Sequence, residues 1–243
     1  MFKPNLIILE QAESTQDVAK TMAFDGASSG SAVMALHQVR GRGRSGAQWF
    51  APQGKNLSIS VVLRPSIEVC RSPLIGMLAS ISVAEILDNL CHPLKAFLKW
   101  PNDVLVQDKK IAGILSEARI VDTSLEFVIL GVGINVNSSI VDFPDELRDF
   151  LTSCFILTGK TFDLKEVGNR FLQTLGRLFN KLEADGTSFI PSCWESKWLH
   201  KGHKLVRDGV KGIATGIDSD GSLLLKLPDG KMLKISSGPL FTE

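Results

Sequence analysis

A chain of 243 residues, 44% of them hydrophobic, can bury a sizeable core as one large domain or as one domain with a small companion module. With a formal net charge of +1 any basic cluster is local, and nothing in the charge balance suggests a broad nucleic-acid-binding face. The opening M-F-K-P-N-L-I-I-L-E has too short an apolar core for a secretory signal, and the apolar stretch from Leu74 to Leu90 is interrupted by Ser80, Ser82, Glu85 and Asp88, so a soluble cytoplasmic protein is expected.

Ser14 begins S-T-Q-D-V-A-K-T-M-A-F, with Ser14 or Thr15 placed to cap and Asp17 three residues after Ser14, so a helix is predicted to start there. Ala32 to His37 reads as a strand. It runs into Q-V-R-G-R-G-R-S-G-A-Q-W-F-A-P-Q-G-K-N, between Gln38 and Asn56, where Gly41, Gly43 and Gly46 stand among Arg40, Arg42 and Arg44. The glycines match G-x-G-x-x-G, but a dinucleotide turn should open an amphipathic helix and be followed about 20 positions on by an acidic ribose-binding residue. Here Trp49, Pro52 and Gly54 follow, then the strand-like N-L-S-I-S-V-V-L. A phosphate-binding loop fits better: glycine permits close backbone approach, and guanidinium groups match carboxylate and phosphate oxygens. A solvated basic hairpin loop is the plain alternative.

Leu57 to Leu63 reads as a strand with Ile59, Val61 and Leu63 on one face, and Pro73 to Leu90 as a mostly apolar helix packed on the sheet. Three apolar runs follow, A-F-L-K-W-P-N-D-V-L-V-Q, K-I-A-G-I-L-S-E-A-R-I-V and L-E-F-V-I-L-G-V-G-I-N-V-N. Asp108-Lys109 and Asp122-Thr123-Ser124 separate them, the spacing of an antiparallel meander. Asp163 with Glu166 opens a helix whose Val167, Phe171, Leu175, Leu178, Phe179 and Leu182 recur at helical spacing as core. From Gly202 the chain turns to short β-rich runs punctuated by Asp-Gly, a module too small to stand without its neighbour. Residues 1–198 and 199–243 are therefore read as two domains.

Cys70, Cys91, Cys154 and Cys193 lie far apart with no C-x-x-C pair and read as buried thiols, while His200 and His203, on a possible helical face, read as a surface pair. No metal site is expected from the protein's own side chains.

Four polar constellations stand at strand or helix ends: Ser14-Thr15-Gln16; Gln38 with the Arg/Gly loop; Lys99-Trp100-Pro101-Asn102-Asp103 with Lys110 and Gly113; and Gly131-Val132-Gly133-Ile134-Asn135. Taken singly, Ser14 and Thr15 only cap, Asn102-Asp103 is a turn, Lys110 a strand-end lysine and Gly131 a bulge. Together, G-R-G-R-x-G-x-x-W, K-W-P-N-D, K-x-A-G-I-L and G-x-G-I-N-V in succession resemble the biotin protein ligases over essentially the whole chain.

The resemblance implies an α+β fold, with a catalytic domain like that of class II aminoacyl-tRNA synthetases, a mixed sheet flanked by helices, and a C-terminal barrel similar to SH3 domains. It implies activation of biotin by ATP, with Mg2+, to biotinyl-5'-adenylate, and transfer to a lysine of a biotin carboxyl carrier domain. It further implies that Ser14, Thr15, Gln16 and Gln38 read the ureido end of biotin, and that Arg42 and Arg44 hold carboxylate and phosphates. Gly41 and Gly43 would let the backbone close over them, and Lys110 would bridge carboxylate and α-phosphate. Trp49 would pack on adenine, Asn102 and Asn135 would bond the adenine or its metal-phosphate surroundings, Gly113 and Gly131 would leave room for biotin, and Asp103 would orient the incoming lysine.

Ala47 stands where many members carry arginine, Gln16 where asparagine is common, Val39-Arg40 where a small uncharged pair is usual, and Ser58 in place of a frequent aromatic. Only about a dozen residues precede Ser14, so a ligase with no DNA-binding domain and no repressor role is expected; a homodimer through the sheet edge is common among relatives. Lipoate ligase shares the adenylate logic, but the Arg/Gly loop with K-W-P-N-D and K-x-A-G-I-L resembles the biotin enzymes more closely. A non-catalytic sensor would lack Lys110 or Arg44, and both are present.

Overall fold

The structure is a computed structural model that describes residues 1–207 and 209–238 and the backbone of 241–242. Strand β1 (Asn5–Ala12) pairs in parallel with β2 (Ser31–Gln38), and helix α1 (Thr15–Phe24) connects them. Strands β3 (Leu57–Leu63), β4 (Phe97–Lys99), β5 (Asp103–Val106), β6 (Lys109–Val121) and β7 (Ser124–Ile134) complete a seven-stranded mixed sheet of order β1-β2-β3-β7-β6-β5-β4.

Helices cover both faces of this sheet. Ala19 and Ala23 of α1 pack on Val33, Val62, Phe127 and Ile129. On the other face lie α2 (Pro73–Leu90) and α4 (Leu164–Asp185), whose predicted stripe is buried without exception. Every residue of β3 is therefore buried, where one buried face was expected. The apolar character of α2 belongs to this core position; its Ser80 and Ser82 donate back to Met77 O and Leu78 O at 2.8 and 2.9 Å, so neither hydroxyl is stranded. Asp163 caps α4, accepting from Lys165 N at 2.8 Å.

The first of the three apolar runs is two strands rather than one, folded back at Trp100-Pro101-Asn102 to pair Lys99 with Asp103. The next turn is centred on Gln107-Asp108, one residue earlier than the sequence suggested, with both residues left-handed at φ 51° and 60°. That is the backbone a two-residue hairpin requires, and it leaves Lys109 to begin β6.

After the short helices α3 (Cys154–Thr158) and α5 (Phe189–Glu195), strands β8 (Lys204–Arg207), β9 (Val210–Ile217), β10 (Leu223–Lys226), β11 (Met232–Ile235) and β12 (Phe241–Thr242) form a second, antiparallel sheet. It leans on the first unit as its size requires. Leu205, Ala214, Ile217, Leu223, Leu225 and Ile235 join the main hydrophobic cluster, Trp100 Nε1 donates to Gly221 O at 3.1 Å, and Ile217 N donates to Glu195 Oε1 at 2.7 Å.

Two sequence expectations are corrected here. Cys91 and Cys154 are buried, but Cys70 and Cys193 are exposed. His200 and His203 lie in the turns before β8, not on a helix, with rings edge to face at 5.8 Å. Among the described residues no three His, Cys, Asp or Glu side chains cluster to hold a metal.

Candidate functional site

Strand β3 alternates L-S-I-S-V, so Leu57, Ile59 and Val61 face α2 and α4 while Ser58 and Ser60 face the side of α1. Beyond the reach of α1, that side opens as a cleft of about 220 Å³. Its floor follows from the register. Ser60, Gly131 and Leu115 form one cross-strand row; Ser58, Gly133, Gly113 and Asp103 form the next. Glycine at three of these seven positions leaves bare backbone where a flat or extended ligand can lie.

One end of the cleft is a chain of amides and hydroxyls. Gln38 Oε1 accepts from Thr15 N at 2.8 Å and from Thr15 Oγ1 at 3.0 Å. Thr15 Oγ1 lies 2.8 Å from Ser60 Oγ, which donates to Gln16 Oε1 at 2.9 Å, and Gln16 Nε2 donates to Glu117 Oε2 at 3.0 Å. Ser14, Thr15 and Gln16 are all buried, held by the first turn of α1; Ser14 occupies the N-cap position, but its hydroxyl makes no capping bond. Gly131 makes room for Gln16 itself, since a β-carbon there would stand 2.7 Å from Gln16 Oε1. Alternating donors and acceptors of this kind suit a ligand group that carries both N–H and C=O.

At the other end the Arg/Gly loop folds over the floor. Gly43 N donates to Ala47 O at 2.7 Å and Trp49 N to Gly41 O at 2.8 Å. Trp49 is thereby carried inward over Gly133, and its Nε1 is buried without a partner, as is the hydroxyl of Ser58. Lys110 Nζ sits 5.8 Å from the Trp49 ring centroid and 2.7 Å from Asp103 Oδ1. The Lys110 backbone is clamped by the segment after β7: Lys110 N donates to Phe150 O at 2.8 Å and Thr152 N to Lys110 O at 3.0 Å. Arg44 Nη1 reaches Asn102 Oδ1 at 3.4 Å, and Asn102 Nδ2 donates to Ile114 O at 2.9 Å.

Of the residues to which the resemblance gives a role in the site, all but Gly41 and Asn135 line the cleft. Gly41 lies buried behind two cleft residues, where a β-carbon would stand 2.4 Å from Trp49 O and 2.7 Å from Gln38 Nε2. Asn135 lies beneath the floor, accepting from Asn56 Nδ2 at 3.2 Å and donating to Thr152 O at 3.1 Å, so its amide is already engaged. Sequence reasoning missed Ser60 and Glu117 in the amide chain, and Asp17, whose carboxylate takes Arg42 Nη2 at 2.6 Å. The two-residue period of β3 carried the signal for Ser60; nothing local marked the other two.

A mixed sheet with a buried amide chain at one end of a glycine floor and an arginine-glycine loop facing a lysine at the other defines a ligase domain of the adenylate-forming kind. The chain belongs to the biotin/lipoate A/B protein ligase family, which it matches over residues 8–135, and residues 205–239 match the biotin protein ligase C-terminal domain. It is 34% identical over 230 residues to the bifunctional ligase/repressor BirA of Bacillus subtilis, covering 93% of this chain and 70% of that one. To the biotin--[acetyl-CoA-carboxylase] ligase of Paracoccus denitrificans it is 29% identical over 236 residues, covering 93% and 96%. The biotin protein ligase from Aquifex aeolicus in complex with biotin and ATP superposes with a TM-score of 0.82 at 32% identity over 98% of each chain.

Proposed function

We propose that this protein activates biotin with ATP to biotinyl-5'-adenylate and pyrophosphate, then transfers the biotinyl group to a lysine of a carboxylase carrier domain. The supporting observation is the polarity of the cleft: an amide chain fitted to a ureido group at one end, where Arg42 lies 3.8 Å from the Glu117 carboxylate that closes the chain, and Lys110 and Arg44 at the other, joined by the glycine floor. Adenylation joins two anions, so it needs cationic donors at the carboxylate and α-phosphate and no protein nucleophile.

In this reading Ser14, Thr15, Gln16 and Gln38 hold the ureido group, with Ser60 completing their chain. Lys110 bridges carboxylate and α-phosphate, Arg42 and Arg44 hold the charged oxygens, and Trp49 packs on the adenine. Asp103, now paired to Lys110, orients the incoming lysine once Lys110 turns to the substrate. Magnesium would accompany ATP and offset phosphate charge, and Asn102 and Asp103 are cleft residues whose side-chain oxygens could hold it; a cation that keeps its water and phosphate ligands asks little more of the protein.

We place the domain boundary at residue 198, since the two sheets share no strand. The β4 edge is covered, Leu98 N donating to Lys197 O at 2.8 Å and Leu199 N to Leu98 O at 3.0 Å, which leaves β1 as the edge for a second copy. Such an enzyme works in the cytoplasm, where ATP is available.

Incubation with ATP and either biotin or lipoate, with pyrophosphate release followed, tests the reading. Release with biotin and not lipoate is expected; release with lipoate alone overturns it.

A further inference from the structure

One row beyond Ser60, Gly131 and Leu115 on the α1 side of the sheet lie Val62, Ile129 and Glu117. Val62 and Ile129 pack with Ala19 and Ala23 of α1, so the row is apolar until its last member, a carboxylate whose side chain is 44% exposed. Glu117 Oε2 accepts from Gln16 Nε2 at 3.0 Å, and the same amide nitrogen lies 3.4 Å from Ile129 O. Arg42 Nη2 stands 3.8 Å from that carboxylate oxygen.

A carboxylate and a carbonyl oxygen accept hydrogen bonds and cannot donate them. Facing both, the Gln16 amide has one orientation in which its bonds are made, with Nε2 toward Glu117 and Oε1 toward Ser60. Ser60 then spends its only proton on Gln16 Oε1, at 2.9 Å. Thr15 Oγ1, 2.8 Å from Ser60 Oγ and 3.0 Å from Gln38 Oε1, is left to donate to one of them. Both hydroxyl protons are used within the chain, so what Ser60 and Thr15 offer a ligand is lone pairs, while Gln38, its Oε1 fixed on Thr15 N at 2.8 Å, keeps Nε2 as a donor. With the Gln16 amide turned over, Nε2 would donate to Ser60, and the freed hydroxyl proton would oppose a ligand N–H.

We propose that Glu117 is a positioning residue that fixes the direction of this hydrogen-bond chain, and with it the cleft's selectivity for a ligand that brings N–H groups to the hydroxyls and a C=O to Gln38. The inference rests on biotin as the ligand, as proposed above. Glu117 acts through Gln16 and Ser60 rather than by contact with the substrate, since members of such a chain polarise one another along its length.

Calorimetric titration of the full-length protein with biotin tests the assignment. Glu117→Ala removes the acceptor and should weaken binding about tenfold, the low end for a bond to a charged group because this carboxylate is partly solvated. Glu117→Gln removes the charge beside Arg42 but still offers Gln16 Nε2 an acceptor, so it should stay within about threefold of wild type. In a Ser60→Ala background the chain is already cut, and adding Glu117→Ala should cost less than about threefold more. Equal affinity of wild type and Glu117→Ala, a glutamine variant as weak as the alanine variant, or additive losses in the double variant each overturn the inference alone; the second would assign the effect to charge on Arg42. Failure of the wild-type protein to bind biotin overturns the proposed function and this inference with it.

Discussion

The indole of Trp49 lies so close over the backbone of Gly133 that a β-carbon on residue 133 would stand 2.2 Å from Trp49 Cε2, with the next two nearest atoms also in that ring. The glycine is thus matched to one side chain. Gly133→Ala should force the indole off the floor and destabilise the protein by about 1 to 3 kcal/mol, the usual cost of overpacking. In a Trp49→Ala background the same substitution should cost much less, because the group it clashes with is gone. Denaturant unfolding of the four proteins measures the coupling; additive costs would show that residue 133 meets something other than Trp49.

Lys110 is presented by two backbone bonds to the segment after β7 and is charge-paired to Asp103 at 2.7 Å. Neither backbone bond uses its side chain. Lys110→Ala should therefore leave the fold intact and cut adenylate formation by about 100- to 1,000-fold, the cost of losing one transition-state donor. Near-normal biotin-dependent pyrophosphate exchange would refute the role.

Arg44 bonds only weakly to Asn102, at 3.4 Å, so Arg44→Gly should change thermal stability little. It should loosen retention of the adenylate, which then escapes and labels lysines on bystander proteins. Labelling confined to the carrier, at a normal rate, would show that Arg44 does not hold the intermediate.

What the sequence disclosed was whatever local chemistry determines. The stripe of α4 and the span of α2 are periodic patterns, and the Arg/Gly loop and the K-W-P-N-D turn are contiguous. The pairings of Gln16 with Glu117 and of Arg42 with Asp17 join residues 101 and 25 positions apart, and only the sheet order brings them together. Asn135 misled for the same reason. Its position two residues after Gly133 suggests a cleft residue, but β7 ends at Ile134, so the alternation that keeps Gly131 and Gly133 on the cleft face does not extend to Asn135, whose amide Asn56 and the Thr152 carbonyl take.

The two loops beside the cleft are tied by Lys55 and Asp142, 2.6 Å apart, with Ser139 N also donating to the same carboxylate at 2.8 Å. Lys55 chiefly, and Ser139 next, hold the Asp142 carboxyl down to about 2 from its ordinary 3.8. A depressed pKa contributes stability that is complete above about pH 5 and is lost as pH falls through 4 toward 2. Asp142→Asn should cost about 1 to 2 kcal/mol at pH 7, less than the full shift implies because Lys55 is partly solvated. The gap between variant and wild type should close by about pH 2 in acid unfolding curves. A gap that persists there would assign the loss to packing instead.

The order of ligand binding depends on what the loop arginines do before an anion arrives. From sequence alone Arg40, Arg42 and Arg44 should repel one another, but Arg40 pairs with Glu13 at 3.3 Å, and Arg42 lies 2.6 Å from Asp17 and 3.8 Å from Glu117. An incoming anion must take Arg42 from Asp17 rather than relieve repulsion. Both partners are largely exposed, so the exchange costs about 0.2 to 1 kcal/mol, and Asp17→Asn should tighten biotin binding by no more than about fivefold, an effect that salt erases. Once biotin holds Arg42 the loop is fixed for the phosphates, so binding should run biotin first and ATP second, the first ligand lowering the ordering cost for the second. Calorimetry with a non-hydrolysable ATP analogue decides this. Equal analogue affinity with and without biotin would show a loop already set for the nucleotide, and weaker biotin binding by Asp17→Asn would show that Asp17 positions Arg42 for the substrate instead of competing with it.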